Sequence, residues 1–181
     1  MGSVSMGNGD IIGILDLTLL DRGASEEDLV RLCERAVAHR VAAVCVFSEH
    51  VRFVRGLLPE EVKVASVVGG FPVGWRDPTK VSKAISEAID FGADEIDCVL
   101  EPTPNGGDAS EEDLQILSAM RDACGEKTLK VIIETPLMDE HSIRAISRLA
   151  MASGADFVKN CTGKRGDCTD EDARILSMEA N

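Results

Sequence analysis

The sequence predicts an α/β protein built on a parallel sheet, and three observations carry that prediction. First, short β-branched runs alternate with amphipathic segments, roughly 30 residues per unit, in six successive units. Second, one junction recurs: "FGADEID" and "SGADFVK" each place a glycine where a helix should stop, directly before a strand. Third, aromatic residues are only 3%, with no Tyr and one Trp. The core must therefore be aliphatic, which suits parallel strands buried on both faces.

The strands are expected at 11–16 (IIGILD), 41–46 (VAAVCV), 62–68 (VKVASVV), 94–99 (DEIDCV), 129–134 (LKVIIE) and 155–159 (ADFVK). The helices between and after them are expected at 25–39, 48–57, 78–91, 110–123, 139–153 and 169–179. Three helix starts are marked in the same way. Ser25, Ser110 and Thr169 are each followed by three acidic residues, giving an N-cap and negative charge at the positive end of the helix dipole. Strand–helix alternation implies right-handed crossovers. It fits either a (β/α)8 barrel or an open doubly wound sheet. No GxGxxG follows the first strand, which disfavours a dinucleotide-binding sheet. A complete barrel takes about 250 residues.

Charge and composition narrow the function. The chain of 181 residues carries 32 acidic and 19 basic side chains, a net charge of −13, so an average surface would repel a nucleic-acid backbone. "MGSVSMGNGD" has no basic stretch, and the apolar run after it is broken by Asp16, so neither a signal peptide nor a membrane span is expected. Residues 1–10 read as a flexible tail, and the cytoplasm is the default location. The six cysteines form no CxxC pair, and several lie in apolar runs. They read as small buried hydrophobes rather than as metal ligands or a disulfide framework.

In both architectures, active sites gather at the C-terminal ends of the strands. Those ends supply Asp16, Thr18, Cys45, Asp97, Glu134 and Lys159. Alternation puts Lys130 on one face with Ile132 and Glu134. Asp97, Lys130 and Lys159 are ionisable groups in otherwise apolar strands, where such groups are rarely buried alone. Each has an ordinary alternative: a strand-end lysine reaching solvent, a structural ion pair, or a turn cap. Together they point to amine chemistry. A lysine buried among apolar residues with another cation nearby has its pKa lowered, which leaves a neutral amine that attacks a carbonyl. An aspartate beside it shuttles protons. Thr162, Gly163 and Lys164 follow, offering a hydroxyl, an exposed N–H and a cation to an anionic group.

Six stretches then carry a family resemblance: "LDLTLL" (15–20), "AAVCV" (42–46), "GFPVG" (70–74), "GADEID" (92–97), "LKVIIET" (129–135) and "GADFVKNCTGK" (154–164). In order and spacing the chain resembles the class I deoxyribose-phosphate aldolases over about residues 11–179. The resemblance implies a TIM (β/α)8-type barrel that reversibly cleaves 2-deoxy-D-ribose 5-phosphate into acetaldehyde and D-glyceraldehyde 3-phosphate, in deoxyribonucleotide catabolism. It implies Lys159 as the Schiff-base lysine, Asp97 as the proton-relay carboxylate and Lys130 as the charged residue beside it. Asp16, Thr18 and Cys45 would line the sugar, and Thr162, Gly163 and Lys164 would begin the phosphate site. It implies no cofactor and no metal, since the imine is the electron sink. The partner is a small phosphorylated sugar, and a homo-oligomer is compatible with it.

The departures are local except at the end. The family's Lys-Thr-Ser-Thr-Gly reads Lys159-Asn160-Cys161-Thr162-Gly163 here, Pro136 replaces a common glycine, and "VVGGFPVG" has an extra glycine. The family's second active-site lysine, in a Lys-x-x-Gly-Gly context, and its glycine-serine phosphate loop have no counterpart, so Lys159 is expected to titrate closer to a free lysine, near 10.4. Asn181 falls in the sixth helix, so residues 11–181 are expected to form a single barrel domain that is C-terminally incomplete by two βα units. The competing reading is a non-catalytic, aldolase-like interaction or regulatory protein that has lost the phosphate site.

Overall fold

The computed structural model describes residues 11–103 and 107–180; the tail expected at 1–10 lies outside the described residues. Six strands, β1 (Asp16–Leu19), β2 (Ala43–Phe47), β3 (Lys63–Val68), β4 (Glu95–Val99), β5 (Thr128–Ile132) and β6 (Phe157–Lys159), form one sheet in chain order. Every pairing is parallel. The helices are α1 (Glu26–His39), α2 (Ser48–Arg55), α3 (Pro78–Asp90), α4 (Glu111–Cys124), α5 (Glu140–Ala152) and α6 (Asp170–Glu179).

The sheet curls. In a flat sheet β1 and β5 would lie about 19 Å apart, four strand spacings. Instead Lys130 Nζ on β5 stands 2.6 Å from Asp16 Oδ2 on β1. The helices cover one face only. Val44, Val46, Val64, Ile96, Leu129 and Val131 pack outward against helix residues such as Leu32, Ile85, Leu117 and Ile146. The inner face has its own smaller cluster, with Ala43, Cys45, Phe47, Ala65, Val67, Val99 and Ile132 from the strands and Phe71 from the loop after β3. One-sided helices on a curled parallel sheet make a barrel-type wall and exclude the doubly wound alternative. Among the described residues, β1 and β6 are its two edges, and the inner face opens to solvent between them.

The marked helix starts form as expected. Ser25 with Asp28, Ser110 with Asp113 and Thr169 with Asp172 are complete capping boxes, each satisfying two otherwise orphaned N–H groups. The repeated Gly-Ala-Asp junction also has a physical account. Gly92 and Gly154 take φ of 106° and 89°, the left-handed region glycine tolerates. Arg55 and Arg121 lie over them, so a Cβ would meet those side chains at 3.2 and 2.9 Å. Asp94 then binds Arg55 (2.9 Å) and the Val64 N–H (3.0 Å). Asp156 binds Arg121 (3.1 Å) and the Leu129 N–H (2.8 Å). Each junction thus pins the start of the neighbouring strand.

The first strand is displaced from the expected 11–16. Ile11 and Ile12 are helical, and β1 begins only at Asp16. The apolar content of IIGILD is misleading, because Ile11, Ile14 and Leu15 are exposed. Register decides: pairing Asp16 with Ala43 and Thr18 with Cys45 puts the polar side chains of "DLTL" inward and its leucines toward α1. The other boundaries differ by about two residues, the ordinary fraying of element ends.

Candidate active site

Side-chain alternation brings five ionisable groups onto the inner face: Asp16 from β1, Glu95 and Asp97 from β4, Lys130 from β5 and Lys159 from β6. Asp97 is fully buried. Its Oδ2 accepts a hydrogen bond from Lys159 Nζ, which reaches across the intervening strand β5. Its Oδ1 is buried without a hydrogen-bond partner. Lys130, directly paired with Asp97 in the β4–β5 register, lies 3.7 Å from that oxygen. Lys130 also stands 2.6 Å from Asp16 and 2.5 Å from Glu95. Three carboxylates therefore surround two ammonium groups. The cluster is reached through an open cleft of about 490 Å³ between the two edge strands, lined by Ile14, Asp16, Glu95, Lys130, Phe157 and Lys159.

The electrostatics correct one expectation. Burial pulls the Lys159 pKa down, but the charge and hydrogen bond of Asp97 outweigh it, and the pKa is raised rather than lowered or left near that of a free lysine. Lys130 does oppose the rise, but it is the smallest of these influences. Lys130 is itself held charged: burial works against it, and Asp97, Asp16 and Glu95 more than compensate. Cys45 is buried beside the cluster, and desolvation, reinforced by Asp97, pushes its thiol up to about 12. It is a neutral wall group at pH 7, not a nucleophile.

Two expected site residues sit differently from their reading. Asp16 opens β1 instead of ending a strand, so it meets the cluster from the lower part of the wall and not from the C-terminal rim. Thr18 pairs with Cys45 in the register but is exposed at the open edge, its hydroxyl donating to the Asp16 carbonyl (3.2 Å). Thr162, Gly163 and Lys164 form a separate layer on the loop after β6. Buried Glu134, in the left-handed region at φ 58°, accepts from the Thr162 N–H (3.1 Å) and hydroxyl (2.8 Å). The Thr162 hydroxyl accepts in turn from the Lys164 N–H (3.2 Å). Gly163 has φ 67° and open space around it, and the Lys164 side chain faces solvent. Arg165 ties the same loop to Glu101 by two hydrogen bonds of 2.6 and 2.9 Å. Sequence reasoning missed Glu95. The signal was present, because Glu95 and Asp97 are two apart and share a strand face.

An amine held against a buried carboxylate whose other oxygen has no hydrogen bond can lose its proton to water by way of that carboxylate and attack a carbonyl. Residues 11–180 match the DeoC/LacD family aldolase. The chain is 35% identical over 172 residues to the deoxyribose-phosphate aldolase of Clostridioides difficile, covering 92% of this chain and 76% of that one. It is 39% identical over 156 residues to that of Treponema denticola, covering 82% and 70%. The fold superposes with a TM-score of 0.82 on the tetrameric deoxyribose phosphate aldolase of Aeropyrum pernix, at 26% identity, covering 95% of this chain and 73% of that one. The wall of parallel strands, the inward lysines and the match along nearly its whole length place this chain in the DeoC/LacD aldolase family.

Proposed function

We infer that this chain is a Schiff-base aldolase that reversibly cleaves 2-deoxy-D-ribose 5-phosphate to acetaldehyde and D-glyceraldehyde 3-phosphate. The observation that carries the residue assignment is the Lys159–Asp97 contact, with Asp97 Oδ1 left without a hydrogen bond. Lys159 loses a proton to solvent by way of Asp97, and the neutral amine attacks the C1 aldehyde of the open-chain sugar. Loss of water gives an iminium ion. Removal of the C3 hydroxyl proton then breaks the C2–C3 bond and releases D-glyceraldehyde 3-phosphate, while the bond's electron pair is held as an enamine on Lys159. Protonation at C2 and hydrolysis release acetaldehyde and restore the amine. Asp97 carries the protons, directly or through water. Lys130 keeps Asp97, Asp16 and Glu95 in place. Asp16, Thr18 and Cys45 line the sugar side, and Thr162, Gly163 and Lys164 receive the phosphate. Family membership together with the tetrameric relative supports an oligomer, and the acidic, aliphatic chain supports a cytoplasmic location. No helix among the described residues is long and apolar enough to cross a membrane.

The test is cleavage of 2-deoxy-D-ribose 5-phosphate, followed as acetaldehyde release, by the wild type and by Lys159→Ala. Release by the wild type alone supports the reading. Equal release by both proteins, or by neither, rejects it.

A further inference from the structure

We propose that Cys161 and Cys168 are a reversible dithiol–disulfide pair that clamps the loop carrying Thr162, Gly163 and Lys164.

The cysteines of this chain fall into two groups. Cys33, Cys45, Cys98 and Cys124 are buried, whereas Cys161 is half-buried and Cys168 is exposed. Burial closes the four to a disulfide reagent and also raises their pKa, those of Cys45 and Cys98 to about 12. The remaining two are accessible and share one loop, and their side chains are in hydrogen-bonding contact, which raises the Cys168 thiol as well, so it is access and proximity that set this pair apart. The chain turns back between them through two glycines in the left-handed half of φ, Gly163 (67°) and Gly166 (148°). Both ends are anchored. Thr162 is tied to Glu134, and Thr169, next to Cys168, closes the capping box of α6. Thiols already in contact across a fixed turn need only a short approach to reach a bond of about 2.05 Å.

The chemistry balances with a small-molecule disulfide as oxidant. One cysteine thiolate attacks a sulfur of that disulfide, breaking its S–S bond and expelling one thiol. The second cysteine thiolate then attacks the mixed disulfide and expels the other thiol. Two protein thiols lose two electrons and two protons, and the reagent leaves as two reduced thiols. The resulting ring encloses Thr162, Gly163 and Lys164, so their backbone loses freedom. The pairing itself does not depend on the role given to Lys159; only its effect on the substrate does.

The experiment uses the full chain with excess oxidised glutathione, then alkylation and tryptic digestion without reductant. Trypsin cuts inside the ring, so the disulfide joins peptide 160–164 to peptide 166–174. That joined pair is the expected main product. It should disappear with reductant and be absent from Cys168→Ser. In a second arm, the native oxidised protein should be cut after Lys164 and Arg165 about threefold more slowly than the reduced protein, because the clamp limits local opening. Glutathione left on a single cysteine with no joined pair, prior reaction of the buried cysteines, or an unchanged cleavage rate would overturn the proposal.

Discussion

Two sets of ion pairs differ instructively in this molecule. At the Gly-Ala-Asp junctions, Arg55–Asp94 and Arg121–Asp156 are part-exposed, and their polar atoms also meet backbone groups. Every partner has a structural task, namely to stop a helix and start a strand. On the inner wall, Lys130, Asp16, Glu95 and Asp97 are more deeply enclosed, Lys159 reaches them from the cleft, and Asp97 still keeps one buried oxygen without a hydrogen bond. A satisfied ion pair at a chain junction holds the fold. A buried pair with spare proton-accepting capacity facing a cleft is placed for chemistry.

Mutations should separate the two sets. The largest effect is expected from Lys159→Ala or Lys159→Arg, which should abolish both imine trapping and cleavage, since arginine cannot supply a neutral amine. A variant that still forms an adduct would place the nucleophile elsewhere. Asp97→Asn should come next, lowering kcat by about 10²–10⁴-fold, the usual contribution of a positioned acid–base group. Steady-state kinetics with an intact circular dichroism spectrum checks this, and a loss under tenfold would remove Asp97 from the relay. Lys164→Ala should raise KM for the phosphorylated sugar about 10–100-fold, the equivalent of about 1.5–3 kcal/mol for a hydrogen bond to a charged group. It should leave trapping by unphosphorylated acetaldehyde unchanged. Asp156→Ala should hardly alter kcat, and it should lower stability by about 1–3 kcal/mol by leaving the Leu129 N–H unpaired. Urea unfolding checks it; a lost kcat at full stability would erase the contrast between the two sets.

Much of this was legible in the chain. The capping boxes and the Gly-Ala-Asp repeat are local, so Ser25, Ser110, Thr169, Gly92 and Gly154 announce their roles within a few residues. The inward positions of Asp97, Lys130 and Lys159 follow from alternation. The first strand was not legible, because a β-branched run does not set its own register; the pairing of Asp16 with Ala43 does. The direction of the Lys159 pKa was not legible either. It depends on Asp97, 62 residues away in the chain and reached across β5. The hold of Glu134 on Thr162 was hidden because it needs a left-handed residue just past β5.

The raised lysine pKa also sets the pH behaviour. The unfolded lysine pKa is near 10.4. Stability from the Lys130 and Lys159 pairings is therefore fully present below that value and is lost as pH rises through the higher folded pKa values. Chemistry runs the other way, because the neutral amine becomes more abundant as pH rises. The most direct test of the account is the rate and position of trapping by acetaldehyde and cyanoborohydride between pH 7 and 9, mapped by peptide mass. The account predicts a single adduct on Lys159, formed about tenfold faster per pH unit. An adduct on Lys130 or Lys164, or a rate on Lys159 that is flat across this range, would contradict it.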